Sequence, residues 1–196
     1  MRLTRTLSIA AGLAACLAMP AGARAADPTV KEAQNAVAAF RKADPSLEKF
    51  IEKSAGYAVF PDVAKGGLVI GGAGGKGYVF EKGKAVGKTT LSQGTIGAQI
   101  GGEAFYEIIF FETAETLADF KKGEWTMAAQ VSAVAVKAGA SANADYKAGV
   151  AVFTLTKGGA MAEASVVGQK FSYQPIGGIK KKLEEDRPWR AANLMS

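Results

Sequence analysis

The chain has 196 residues, of which 24 are lysine or arginine and 18 are aspartate or glutamate, so its formal net charge is +6. It contains no histidine and a single cysteine, Cys16. These counts exclude a Cys–His or Ser–His catalytic pair, an internal disulfide and a zinc site made from the preferred ligands. Catalysis would have to use carboxylates or lysines, and we expect no cofactor.

The first 25 residues are typical of a secretory signal peptide. Two arginines precede an apolar run at 6–19 that is too short to span a bilayer, and Ala23-Arg24-Ala25 has the A-x-A form of a cleavage signal. Within the run, Leu13-Ala14-Ala15-Cys16 resembles a lipobox, whose cysteine becomes a lipid-modified N-terminus. Both interpretations predict export. The protein would be periplasmic or secreted after cleavage near Ala25, or a lipoprotein anchored at Cys16.

Cleavage would leave one domain of residues 26–196. The first 25 residues hold three arginines and no acid, so the remainder has 21 basic and 18 acidic side chains and a net charge of +3. This balance gives no reason to expect nucleic-acid binding. The length suffices for one core that buries roughly two-thirds of the unfolded surface.

Two short amphipathic helices are predicted between residues 28 and 55. Asp44-Pro45 ends the first and starts the second, as an N-cap followed by proline at the first position. The apolar stripes are Val30, Ala33, Val37 and Phe40 in the first helix, and Leu47, Phe50 and Ile51 in the second. We expect both to pack on the core. The alternative, a first helix lying on a membrane, is disfavoured by its mixed polar charges.

From Tyr57 onward, short apolar runs separated by glycines indicate β-strands. Strands are predicted near 57–60, 67–73, 77–81, 84–92, 94–101 and 103–112 and, after a helix at 113–122, near 125–138, 147–156, 160–168 and 170–174. The segment 125–138 would also suit a buried helix. The strand at 103–112 is apolar on both faces, so we expect it at the sheet centre. The fold class is α+β: a curled or closed, largely antiparallel sheet with two N-terminal helices and one mid-chain helix packed on it.

Residues 66–90 hold nine of the chain's 24 glycines. Gly72–Gly77 fits G-x-G-x-x-G, and Gly83–Thr89 is one residue short of a P-loop. Both lead into strand-like sequence, whereas phosphate binding needs the glycines to open a helix, so we expect no nucleotide. Two hairpin turns, at Gly74-Gly75 and at residues 81–84, explain the glycines better.

A lysine-rich surface is predicted over the same stretch. Five lysines and one acid, Glu81, lie between residues 65 and 100, with the lysines at or near predicted turns. Gathered on one sheet edge, they would attract anionic headgroups at about 1 kcal/mol per lysine. The predicted lipid-binding residues are Lys65, Lys76, Lys82, Lys84 and Lys88, which would contact headgroups, with Tyr78 or Phe80 dipping toward the acyl boundary. The alternative is a solvated rim.

The order of motifs resembles the SYLF family. SAGYAVFPDVAKGGLVIGGAGGKGYVF is similar to its opening signature, and GTIGAQIGGEAFYEIIFF, ETLADFKKGEW, AAQVSAVAVKAG and KGGAMAEASVVGQKFSY follow, covering about residues 45–175. The resemblance implies a phospholipid-binding domain with no known catalytic residues. Some eukaryotic members contact phosphoinositides or actin, but an exported chain would meet neither in its own cell. Met161-Ala162-Glu163-Ala164 departs from the larger apolar residues of the family, which implies a changed local surface.

The sequence therefore predicts non-enzymatic binding of anionic phospholipid at an envelope membrane surface. One alternative is a structural or protein-interaction module of the cell envelope, using exposed edge strands and the Lys180–Lys182 tail. Another is a carboxylate enzyme that uses Glu103 and Glu107. Those two would lie about 13 Å apart along one strand, beyond the roughly 5–9.5 Å of glycosidase pairs. A cleft holding a buried glutamate would favour this alternative.

Overall fold

The fold is an eight-stranded sheet with three α-helices, as seen in a computed structural model that describes residues 27–67, 70–96, 103–157 and 166–177. The helices are α1 Val30–Ala43, α2 Glu48–Lys53 and α3 Ala114–Phe120. The strands are β1 Gly56–Gly67, β2 Ile70–Glu81, β3 Lys84–Ile96, β4 Glu103–Phe111, β5 Glu124–Thr126, β6 Ala133–Ala135, β7 Val150–Thr156 and β8 Lys170–Pro175. Their order is β5-β8-β3-β2-β1-β4-β7-β6, antiparallel except for β6–β7. The predicted α+β class is confirmed.

The sheet is strongly curled. Phe60 of β1 and Phe171 of β8 are three strand spacings apart, about 14 Å in a flat sheet. Their ring centroids are nevertheless 5.8 Å apart, so both rings point into a concave face. Helix α3 packs on this face, with the Phe120 ring 4.8 Å from Phe111 and 5.7 Å from Phe171. The predicted mid-chain helix is thus confirmed, with Leu117 and Phe120 buried.

The two N-terminal helices cover the convex face of the sheet. A capping box starts α1, in which Thr29 Oγ1 accepts from Glu32 N at 3.2 Å and Glu32 Oε2 accepts from Thr29 N at 2.6 Å. In α2, the Phe50 ring lies 5.6 Å from Phe110 and 5.0 Å from Phe153. Burying one such ring stabilises the fold by roughly 1.5–3 kcal/mol. Both predicted helices are confirmed, the second with a 3-10 turn at Pro45–Leu47 before α2. Their predicted apolar stripes are buried except for Val30 and Ile51, which are partly buried.

A buried carboxylate fixes these helices to the loop after β6. Asp44 has no exposed surface, and its Oδ1 accepts from Ser46 N, Ser46 Oγ and Gly139 N at 3.0, 2.6 and 3.2 Å. Its Oδ2 accepts from Ser141 N and Ser141 Oγ, both at 2.7 Å. Burial alone would raise the pKa of Asp44, but the hydrogen bonds from Ser46 and Ser141 outweigh it and hold the pKa far below its ordinary value.

Asp44→Asn should lower the free energy of unfolding by about 3 kcal/mol near pH 7, because one carboxylate oxygen becomes an amide that faces donors. Chemical denaturation of the variant and the wild type measures the difference. Asp145→Asn is the matched control, because Asp145 is exposed in the same loop region. Equal stability of Asp44→Asn and the control would show that the five hydrogen bonds do not hold the helices.

Three predictions about the strands need correction. The strands predicted at 84–92 and 94–101 are not separate, because β3 continues from Lys84 to Ile96. The Gly74-Gly75 turn is wrong, since both residues lie inside β2. A Cβ on Gly75 would come within 2.9 Å of the Asp62 carbonyl, so this glycine allows β1 to approach β2 closely. Segment 125–138 is neither one long strand nor a helix, because two three-residue strands, β5 and β6, are joined by turns.

Other strand predictions hold or fall outside the described residues. The turn at 81–84 is confirmed, with positive φ at Lys82 (49°) and Gly83 (75°). The central position of β4, between β1 and β7, is also confirmed. Of the strand predicted at 160–168, the described residues 166–168 contain a turn and no strand, so this part of the prediction is wrong. Predictions for 68–69, for 97–101, for 160–165, for the tail beyond 177 and for the first 26 residues lie outside the described part of the chain.

Candidate functional site

The β2–β3 turn, residues 81–84 and called the lysine turn below, carries an unbalanced positive charge. Lys82 and Lys84 are exposed, and neither forms an ion pair with the described residues. Glu81, the acid beside them, is already paired with Lys121, whose Nζ lies 2.6 Å from Glu81 Oε1. This hydrogen bond raises the pKa of Lys121 above its ordinary value. The lysine turn therefore presents two cations with no local counter-charge from Glu81.

A cleft of about 610 Å³ opens beside the lysine turn, between the helices and the start of β1, and is called the turn cleft below. Lys82 and Gly83 form one wall. Its apolar lining comes from Val37, Ile51, Tyr57 and Phe80. The other charged residues on it are Arg41, which pairs with Glu48 at 2.9 Å, and Glu52. The cleft thus combines a cationic edge with an aromatic floor.

Tyr78 and Phe80 are more buried than the sequence suggested. Their exposed fractions are 6% and 1%, because both occupy the convex side of β2, which α1 covers. The Phe80 ring stacks on Tyr57 at 5.2 Å, and Tyr78 Oη donates to the Pro28 carbonyl at 3.0 Å. Neither ring is therefore free to dip toward the acyl boundary, as the sequence suggested, although Phe80 still contributes to the floor of the turn cleft.

The five predicted lysines lie at three places. Lys76 and Lys88 lie on the convex face and share one carboxylate, Asp27, at 2.7 and 3.3 Å. Lys65 of β1 is in register with Ala73 of β2, whose side chain packs in the core on the concave face. Ala73 precedes Lys82 by nine residues. Nine strand residues span about 30 Å, so Lys65 is remote from the lysine turn. The structure thus brings together Lys82 with Lys84, and Lys76 with Lys88.

The concave core contains a buried acid, Glu107, whose burial was not predicted from the sequence. Glu107 has no exposed surface, and its Oε2 accepts from Gln169 Nε2 at 3.0 Å. Burial raises the pKa of Glu107 to about 7, although the Gln169 hydrogen bond acts in the opposite direction. Glu107 Oε1, Gln169 Oε1 and Thr154 Oγ1 have no partner in the part of the chain that the structure describes. The sequence signal was one glutamate within the apolar run FYEIIFF.

This acid does not make the carboxylate-enzyme alternative stronger. Glu107 lines neither the turn cleft nor the cavities beside Asp27. Its cross-strand neighbours are Phe60 and Thr154, so the described surroundings offer no second carboxylate. Within the described ranges, no group of three metal-binding side chains occurs. No helix there is long and apolar enough to span a membrane.

Comparison with known proteins identifies the second half of the domain. Residues 92–175 match the model of the Ysc84 family, described as "Las17-binding protein actin regulator". This region belongs to the Ysc84, or SYLF, family. The resemblance inferred from the sequence motifs is confirmed there. The matched SYLF region begins within β3 and ends with β8, so the lysine turn, α1 and α2 precede it.

A curated protein similar to this chain is "Beta cell expansion factor A" from Aeromonas veronii. The two are 29% identical over 130 residues, which are 65% of this chain and 49% of the relative. The chain therefore spans about half the length of that relative.

Proposed function

We propose that this SYLF chain is a non-catalytic domain that binds anionic phospholipid at an envelope membrane surface after export. The observation that best supports this is the position of the lysine turn above the turn cleft. Lys82 and Lys84 would contact headgroup phosphates, while the apolar part of the lipid faces Phe80 and Tyr57. The rings here would form a floor for the lipid rather than dip into the bilayer.

The energetics of the lysine turn match a weak, salt-dependent membrane contact. A lysine near an anionic surface contributes about 1 kcal/mol, and the attraction fades within a Debye length of about 10 Å at 0.1 M salt. Two lysines alone would give a modest affinity, so the apolar cleft must add to binding. We therefore expect salt to weaken the interaction without abolishing it.

Reversing the charge of the lysine turn tests this site. Lys82→Glu/Lys84→Glu should reduce partitioning onto phosphatidylglycerol-containing vesicles by at least about 30-fold, because two favourable contacts of about 1 kcal/mol each are lost. Vesicle co-sedimentation at low salt gives the measurement. Lys137→Glu/Lys170→Glu changes the net charge equally at exposed positions after β6 and on β8. Equal losses in both double variants would mean that total charge, and not the lysine turn, governs binding.

A protein-interaction role remains the alternative. The Ysc84 family description names Las17 binding. The two edge strands, β5 and β6, have three residues each, which leaves little backbone for a partner strand to pair with. If the wild-type protein binds neither phosphatidylcholine vesicles nor vesicles that contain phosphatidylglycerol, lipid binding is rejected in favour of a protein partner.

A further inference from the structure

Lys76 and Lys88 form a second cationic site, separate from the lysine turn. They lie on adjacent strands, and Lys88 is in register with Tyr78, two residues from Lys76. Lys76 Nζ lies 2.7 Å from Asp27 Oδ1, and Lys88 Nζ lies 3.3 Å from Asp27 Oδ2. One carboxylate thus bridges two ammonium groups, and the three charges sum to +1. We call Lys76, Lys88 and Asp27 the Asp27 clamp.

Open space surrounds the Asp27 clamp on both sides. A cavity of about 210 Å³ is lined by the clamp and by Thr90, Ser172 and Gln174, whose side chains bear hydroxyl and amide donors. A second cavity, of about 590 Å³, shares Asp27, Lys76 and Thr90 with the first. The Asp27 carboxylate therefore stands at the junction of two cavities.

The Asp27 side chain is placed so that it can rotate away from Lys76 and Lys88. Its side chain is 56% exposed, and it precedes Thr29, the N-cap of α1. Rotation of this side chain would leave the capping box intact. Ion pairs this exposed are weak, because water and salt compete with them. A stronger anion can therefore replace the carboxylate at little cost.

We propose that Lys76 and Lys88 form a binding site for a phosphate anion, and that Asp27 occupies this site as an internal competitor. A phosphate offers more acceptor oxygens than a carboxylate, so it can accept from both lysines and from a hydroxyl of Thr90 or Ser172. The phosphate belongs either to a lipid headgroup or to a free ion. The site lies six residues along β2 from Lys82, about 20 Å, and so does not depend on the lysine turn.

Removing the competitor tests the proposal. Asp27→Asn keeps the shape of the side chain and removes its charge, so the affinity for inorganic phosphate should rise about fivefold, because the two exposed ion pairs with Lys76 and Lys88 no longer compete. Calorimetric titration of the purified protein with inorganic phosphate measures it. The double variant Asp27→Asn/Lys88→Gln should not show this increase in phosphate affinity, because one of the two lysines is lost. Asp119→Asn, which removes the similarly exposed partner of Lys122, should leave phosphate affinity unchanged.

Vesicles distinguish the two sources of phosphate. If Asp27→Asn raises both phosphate affinity and binding to phosphatidylglycerol vesicles, the site takes a lipid headgroup. If it raises phosphate affinity alone, the site takes a free phosphate. Unchanged phosphate affinity in Asp27→Asn, or an equal rise in Asp119→Asn, would overturn the proposal. The lysine-turn variant is independent of these outcomes, so failure of one site does not imply failure of the other.

Discussion

Raising the pH from about 5 to about 8 should lower the free energy of unfolding of the wild-type protein by about 3 kcal/mol, and Glu107→Gln should remove this loss. Glu107 is fully buried, and its pKa rises from the ordinary value of 4.5 to about 7. Between these two values the folded state holds a proton that the unfolded state has lost. The stabilisation that comes from protonated Glu107 is therefore fully present below about pH 4.5 and is lost as the pH rises through 7.

The surroundings of Glu107 explain why the neutral form is favoured. The facing groups are Phe60 of β1, Thr154 of β7 and Gln169 before β8, none of which is charged. Protonation supplies one O–H donor beside buried oxygens of Gln169 and Thr154 that lack a partner among the described residues. Ionisation instead leaves a charge in the core with one hydrogen bond.

Denaturant unfolding at several pH values between about 5 and 8 makes the measurement. Glu107→Gln should match the wild type near pH 5 and exceed its stability by about 3 kcal/mol near pH 8. Asp44, whose pKa is lowered, affects stability only at more acidic pH and so does not interfere. Parallel pH curves for the two proteins would show that Glu107 does not titrate in this range.

Gly77→Ala should lower the free energy of unfolding by about 3 kcal/mol. Gly77 lies in β2 beneath β1, and a Cβ there would collide with the carbonyl oxygen of Val59 and come within 2.9 Å of Phe60 Cδ1. Both obstacles are hard to move, since one is backbone and the other is a fully buried ring. The strands would have to separate or Phe60 would have to leave the concave core.

Gly94→Ala is the matched control for this clash. Gly94 lies in the neighbouring strand β3, and a Cβ there meets nothing within 4 Å. This substitution should change stability by less than about 1 kcal/mol, and can stabilise slightly by restricting the unfolded chain. Thermal or chemical unfolding compares the two variants. A similar small effect of Gly77→Ala would show that β1 and β2 are not as closely packed as described.

The elements defined by local chemistry were predictable from the sequence. Asp44-Pro45 separates two helices, Thr113 caps α3 and Lys82-Gly83 turns a hairpin, because capping and positive φ depend on a few adjacent residues. The Gly74-Gly75 turn was mispredicted because glycine pairs serve two purposes. In β2 they allow close strand packing, and this depends on a partner strand that local sequence does not reveal.

The candidate sites were harder to predict because they depend on distant pairs. Asp27 meets Lys76 across 49 residues of sequence, and Glu107 meets Gln169 across 62. The face of each lysine also depends on strand register, which a bulge between Val59 and Asp62 shifts. One predicted lysine cluster therefore became three locations, and Tyr78 and Phe80 came to lie under α1.

Vesicle co-sedimentation of the wild-type protein tests lipid binding most directly. Phosphatidylcholine vesicles, with and without phosphatidylglycerol, would be compared at low and high salt. We predict binding to the anionic vesicles that weakens with salt, because in the proposed mode the exposed lysines would contact headgroup phosphates. Absence of binding to either vesicle at either salt concentration would contradict the proposed lipid binding and would favour a protein partner.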